Sequence, residues 1–130
     1  MDPIYESLEI CAERAGDITA TLYERFFATS TDADALMGHS DLQMQGRMLE
    51  QTIELFTGGE ELMEYFDWEL DNHLIGYGVT ADMYQAFFAA FTDIVRESCA
   101  DAWTPEMARA WAAKTAELTE FVAAHRVSTT

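Results

Sequence analysis

Apolar residues recur along this chain at every third or fourth position and almost nowhere at every second. Ile4, Leu8, Cys11 and Ala15 make a first stripe, interrupted at Gly16-Asp17. Ile18, Leu22, Tyr23, Phe26 and Phe27 make a second. This is the spacing of one face of an α-helix, whereas a strand needs sustained alternation. Residues 29–40, rich in Thr, Asp, Ser and Gly, read as a loop. Ser40 and Gln43 stand at the spacing of a capping box and predict the start of a helix. That helix bears Gln45, Met48, Leu49, Thr52, Ile53 and Phe56, and Gly58-Gly59 ends it. Leu62, Met63, Phe66, Leu70, His73 and Leu74 form the next stripe, broken at residues 76–79. Thr80 suits an N-cap, with Asp82 in the first turn. Tyr84, Phe87, Phe88, Phe91, Ile94 and Val95 then make the strongest stripe of all. Pro3 and Pro105 each fit the first turn of a helix, and the second opens a stretch with Met107, Trp111, Leu118, Phe121 and Val122. The pattern predicts an all-α chain of six or seven helices.

Composition narrows what such a chain can do. At 130 residues it is one domain's worth, enough to bury a core without disulfides or a structural metal. Hydrophobic residues make up 49% and aromatics 12%, which excludes a disordered acidic segment. Seven Lys+Arg against 24 Asp+Glu leave a net charge of −17. Phosphate backbones must be met by cations, so a nucleic-acid partner is excluded, and an anionic membrane surface likewise. No basic leader followed by an apolar core opens the chain, and no apolar run approaches the roughly 18 residues of a membrane span. Cys11 and Cys99 sit on helical stripes and read as buried small hydrophobes, so a reducing cytoplasm is the expected compartment. The carboxylates, Glu60-Glu61 and Asp67-Trp-Glu69 among them, read as a solvated coat.

The common catalytic signatures do not occur: there is no phosphate-cradling glycine loop, no GxSxG, no HExxH and no zinc spacing. His39, His73 and His125 are far apart in sequence, and His39 and His125 read as a loop residue and a helix end. Three polar residues nevertheless lie on apolar stripes: Tyr23, Gln45 and His73. Singly, each suits a hydrogen-bonded core residue or a helix end. Together they describe a cavity with one imidazole, one phenol and one amide between aromatic walls. A planar apolar cofactor with a metal centre and a small polar ligand needs such a set.

At these residues the chain resembles the globin family over about residues 5–122. Thr21-Leu-Tyr-Glu-Arg-Phe-Phe27 resembles the second globin helix of bacterial single-domain and flavohaemoglobin-type proteins. Gln45-Gly-Arg-Met-Leu49 resembles the start of the distal helix. His73 with Gly76-Tyr-Gly-Val79 and Tyr84 resembles the proximal helix and the turn after it. Asp101-Ala-Trp-Thr-Pro-Glu-Met107 with Ala110-Trp111 is similar to the entry into the last helix. The resemblance implies a globin-like fold of six to eight helices, with residues 1–126 as a single domain and 127–130 as a flexible C-terminal tail. It implies haem b as cofactor and O2 or NO as ligand. His73 would hold the iron, Tyr23 and Gln45 would face the ligand, and Leu49 would wall the pocket. Tyr77 would lie in the turn, and Arg47 would meet a haem propionate or form a surface ion pair.

Two positions depart from the family pattern. His73 stands one residue further before Tyr77 than usual, and Met37 occupies the place of a haem-packing phenylalanine. Two further readings therefore stay open: a haem-free globin-like sensor or interaction module, and a helical oligomerisation domain. In the haem reading, nitric-oxide dioxygenation or peroxidase-like chemistry is open. No reductase domain follows, so turnover would draw on an external reductase. Monomer and homodimer are both compatible with the sequence.

Overall fold

The computed structural model describes residues 2–58, 60–71 and 79–125. Helix α1 (Pro3–Ala15) begins where Asp2 accepts a hydrogen bond from the Ile4 amide at 2.9 Å, with Pro3 in the first turn. It stops at Gly16, whose φ of 67° is open to glycine and costly for other residues. Helix α2 (Thr19–Thr29) starts beside Asp17, whose carboxylate accepts from the Thr19 amide at 3.0 Å and the Thr19 hydroxyl at 2.6 Å.

Residues 29–40 are not the loop that their composition suggests. They hold helix α3 (Thr31–Met37), started by Ser30, whose hydroxyl accepts from the Ala33 amide at 3.3 Å. Asp32 and Asp34 sit against the positive end of this short helix. Its only buried residue is Ala33, so two turns of helix left no apolar stripe to read. Helix α4 (Leu42–Thr57) also starts differently from expectation, because Asp41 and not Ser40 is its N-cap. Asp41 accepts from the Met44 amide at 2.8 Å, while Ser40 turns back and donates its hydroxyl to the Met37 carbonyl at 2.7 Å. A carboxylate one residue on competes successfully for the cap.

Helix α5 (Glu60–Asp71) follows, then α6 (Ala81–Cys99), capped by Thr80 through the Met83 amide at 3.2 Å. A 3-10 turn at Ala100–Ala102 leads to α7 (Pro105–Ala124), capped by Thr104 through the Met107 amide at 3.1 Å. The described residues thus form seven α-helices and no strand, within the six to eight expected. None of the helices among them is long and apolar enough to cross a membrane.

Helix α6 carries eight buried residues and packs against α1, α2 and α7. Helix α4 crosses α1 and α2 and touches α5. At the centre Trp111 lies 4.9 Å from Phe56 and 5.2 Å from Phe91, ring centre to ring centre. Its indole donates to the Ser7 hydroxyl at 2.8 Å, and Ser7 donates in turn to the Ile4 carbonyl at 2.7 Å. One buried chain of bonds therefore ties α7 to α1. Cys11 and Cys99 are both buried and free, and burial pushes both thiols up. At the end of α7, His125 meets Asp67 of α5 at 3.0 Å.

Candidate binding cavity

The two faces of α4 look onto two different spaces. One face, with Met44, Met48, Thr52 and Leu55, borders a cavity of about 650 Å³ closed by α2, α3, α5 and α6. The other, with Gly46, Arg47, Leu49 and Ile53, borders an open groove of about 600 Å³ against α1 and the α1–α2 corner. Both volumes are in the range of small-molecule sites.

The cavity is built from the stripes that make the helices. From α2 come Tyr23 and Phe26, and from α3 Leu36 and Met37. Helix α5 supplies Tyr65, Phe66 and Glu69, and α6 supplies Met83, Tyr84, Phe87 and Phe88. The walls are aromatic and thioether: four methionines, Met37, Met44, Met48 and Met83, line the one space. Unbranched thioether side chains repack readily around an apolar guest.

Tyr23 is the least exposed polar residue of this lining. It is 3% exposed and is held by aromatic rings, with Phe87 at 5.4 Å and Phe27 at 5.7 Å between centres. Its hydroxyl has no hydrogen-bond partner among the described residues. Burial pushes its phenol far above the ordinary value, so it stays protonated and keeps its O–H to donate. Tyr84 is pushed up by burial in the same way, with the charge of nearby Glu69 adding to the effect.

The charged lining is acidic. Asp41, Glu54 and Glu69 border the cavity, and no lysine or arginine is among its described lining residues. Tyr65, 48% exposed, donates its hydroxyl to Glu69 at 2.7 Å. That bond, and the charges of Glu69 and Glu54, raise the Tyr65 phenol, so both carboxylates lie close to this ring. His39 stands at the α3–α4 corner of the same rim.

The residues singled out in the sequence divide between these places. Tyr23 and Met37 line the cavity together. Gln45 is buried, but its amide donates to the Ser40 carbonyl at 3.2 Å and to the Ser40 hydroxyl at 3.0 Å, which pins the α3–α4 corner. Leu49 is a core residue bordering the second groove, and Arg47 is exposed on that groove's edge. His73 and Tyr77 lie outside the described residues. Phe66 and Phe88 are walls of the cavity, whereas Phe56 packs away from it against Trp111. Among the described residues, no three His, Cys, Asp or Glu side chains gather at metal-binding distance.

Sequence reasoning passed over Glu54, Glu69 and Tyr65, because charges on an amphipathic helix read as a solvated face. It also passed over the gathering of methionines, although seven of them in 130 residues was a visible signal. Comparison of the chain with family models, with curated proteins and with solved structures finds no match.

Proposed function

We propose that this chain is a globin-like haem protein that takes haem b in the cavity between α2, α4, α5 and α6, and with it O2 or NO. One observation carries the reading: Tyr23, 3% exposed and with no hydrogen-bond partner for its hydroxyl among the described residues, lines an apolar cavity of about 650 Å³. A bound acceptor would give that O–H a partner inside the cavity. The aromatic and thioether walls suit a flat apolar ring.

Haem, when bound, supplies an iron centre able to take a diatomic ligand. Tyr23 would then donate a hydrogen bond to that ligand and slow its escape. Phe87 and Phe27 fix the Tyr23 ring, and Met37 packs where the family has an aromatic. Gln45 acts through Ser40, holding the corner that carries Met37 and His39. His73 is the proximal ligand that the resemblance implies. The two free thiols accord with a reducing cytoplasm.

The test is reconstitution of the purified protein with haemin. An intense Soret band is expected, lost or displaced in His73→Ala, with Tyr23→Phe raising the oxygen off-rate about tenfold or more. A flat spectrum would sink the proposal.

A second reading, a haem-free cavity for another apolar ligand, is favoured by the rim. Haem propionates are anions, and Asp41, Glu54 and Glu69 border the cavity with no lysine or arginine among its described lining residues.

A further inference from the structure

Two residues of α1, one turn on either side of Cys11, hold Cys99 at the end of α6. The Ser7 carbonyl accepts from the Cys99 thiol at 3.4 Å. Arg14 donates to the Cys99 carbonyl at 2.5 Å and reaches Asp101 at 3.2 Å. Cys11 comes four residues after Ser7 and three before Arg14, a spacing that puts all three on one side of a helix. The Ser7 carbonyl also points along the helix axis toward the Cys11 amide. Cys11 and Cys99 therefore face each other across the α1–α6 contact. Burial pushes both thiols up, and the charge of Cys11 adds to the push on Cys99, as it must for sulfurs that lie close together.

We propose that Cys11 and Cys99 form a dithiol site that small disulfides oxidise to an internal disulfide, a reversible covalent tie between α1 and α6. The two thiols differ in access. Cys11 borders the open groove against α4, whereas Cys99 is fully buried. Cys11 therefore reacts first. It gives its proton to solvent, its thiolate attacks one sulfur of the incoming disulfide, and one thiol leaves. Cys99 then loses its proton and attacks the Cys11 sulfur of the mixed disulfide, and the second thiol leaves. Two protein thiols are oxidised to one disulfide, and the small disulfide is reduced to two thiols. Because burial keeps the thiolates scarce, the exchange is slow and suits sustained oxidation rather than rapid sensing. Neither cysteine lines the cavity that holds Tyr23 and Met37, so the inference is independent of what that cavity binds.

The test is incubation of the folded full chain with bis(2-hydroxyethyl) disulfide, with remaining thiols blocked by iodoacetamide before unfolding. The chain is expected to stay monomeric, lose both free thiols and lose two hydrogens in mass. Tryptic digestion should join the fragments 1–14 and 97–109. The melting temperature should rise by about 10 °C, because the tie closes a long loop, and dithiothreitol should reverse the rise. Cys99→Ala should stop at a mixed disulfide on Cys11, and Cys11→Ala should leave Cys99 a free thiol. The wild-type fragment map carries the test where a variant fails to fold. A folded chain that keeps both thiols, or that oxidises only to dimers linked between chains, overturns the inference. Mixed-disulfide formation at Cys99 in Cys11→Ala overturns the order of attack.

Discussion

Ser7 shows how much a single polar side chain can carry in a core of this kind. It is fully buried within α1, accepts from the Trp111 indole at 2.8 Å and donates to the Ile4 carbonyl at 2.7 Å. Ser7→Ala keeps the helix and removes almost no volume, but leaves the indole N–H without its partner in a dry site. The expected loss is about 1–3 kcal/mol in urea unfolding. Adding Trp111→Phe should recover part of the bond's share while costing packing, so the two losses should fall short of additivity. Strict additivity would mean that the bond contributes nothing. In the sequence Ser7 is an unremarked serine between Glu6 and Leu8. Tyr23 was legible as an inward tyrosine from its place beside Leu22, Phe26 and Phe27. That its hydroxyl is unpaired among the described residues depends on which groups four other helices bring near it, and no local pattern carries that information.

At the scale of elements, helix ends and inter-helix pairs decide what periodicity cannot. Helices α1, α4, α6 and α7 were legible because their apolar stripes are long, and the caps of α1, α6 and α7 are strong as well. Helix α3 was not, because seven residues with one buried alanine present no stripe. Helices α2 and α6 are joined by Arg25 and Glu97, whose two-pronged contact runs at 2.6 and 3.0 Å. The guanidinium holds the Glu97 carboxyl below its ordinary 4.5. A carboxyl depressed in the folded state stabilises above its ordinary value, and that contribution is lost as pH falls through the folded value. Asp17 follows the same sign, because the Thr19 hydroxyl and amide favour its charged form. Wild type should therefore melt higher than Glu97→Gln at neutral pH. The gap should close as the pH is lowered well below 4.5, measured as melting temperature against pH. A gap independent of pH would show that the pair does not couple α2 to α6. Both groups are exposed, so the gap should be small.

For the whole molecule the dominant fact is the excess of negative charge. Four ion pairs with arginine or lysine are described, Arg14–Asp101, Arg25–Glu97, Arg96–Asp93 and Lys114–Glu117, and they engage only a few of the 24 carboxylates. The remainder repel one another across a small surface, which destabilises the folded state at low ionic strength. Screening shortens to about 3 Å at 1 M salt. The melting temperature should rise by about 5 °C or more between ~0.05 and ~1 M NaCl, a shift of order 1 kcal/mol. A flat profile would show that the charges are already neutralised locally. The same acidity reaches the cavity, which Asp41, Glu54 and Glu69 border.

By itself the sequence determined the helical class, most of the helices, the starts of α1, α6 and α7, and the inward placement of Tyr23, Gln45 and Trp111. These follow from spacing along the chain, and burial of an amphipathic face enforces them wherever the helices pack. Tertiary structure alone decided which inward groups share a space. Helix α4 lies between two spaces, so Gln45 turns to Ser40, and Leu49 and Arg47 border the groove on its far side, while Tyr23, Met37, Met48 and Glu69 converge on the cavity. Which face of a helix meets which neighbour depends on contacts between residues distant in sequence, and a stripe records only that some neighbour exists.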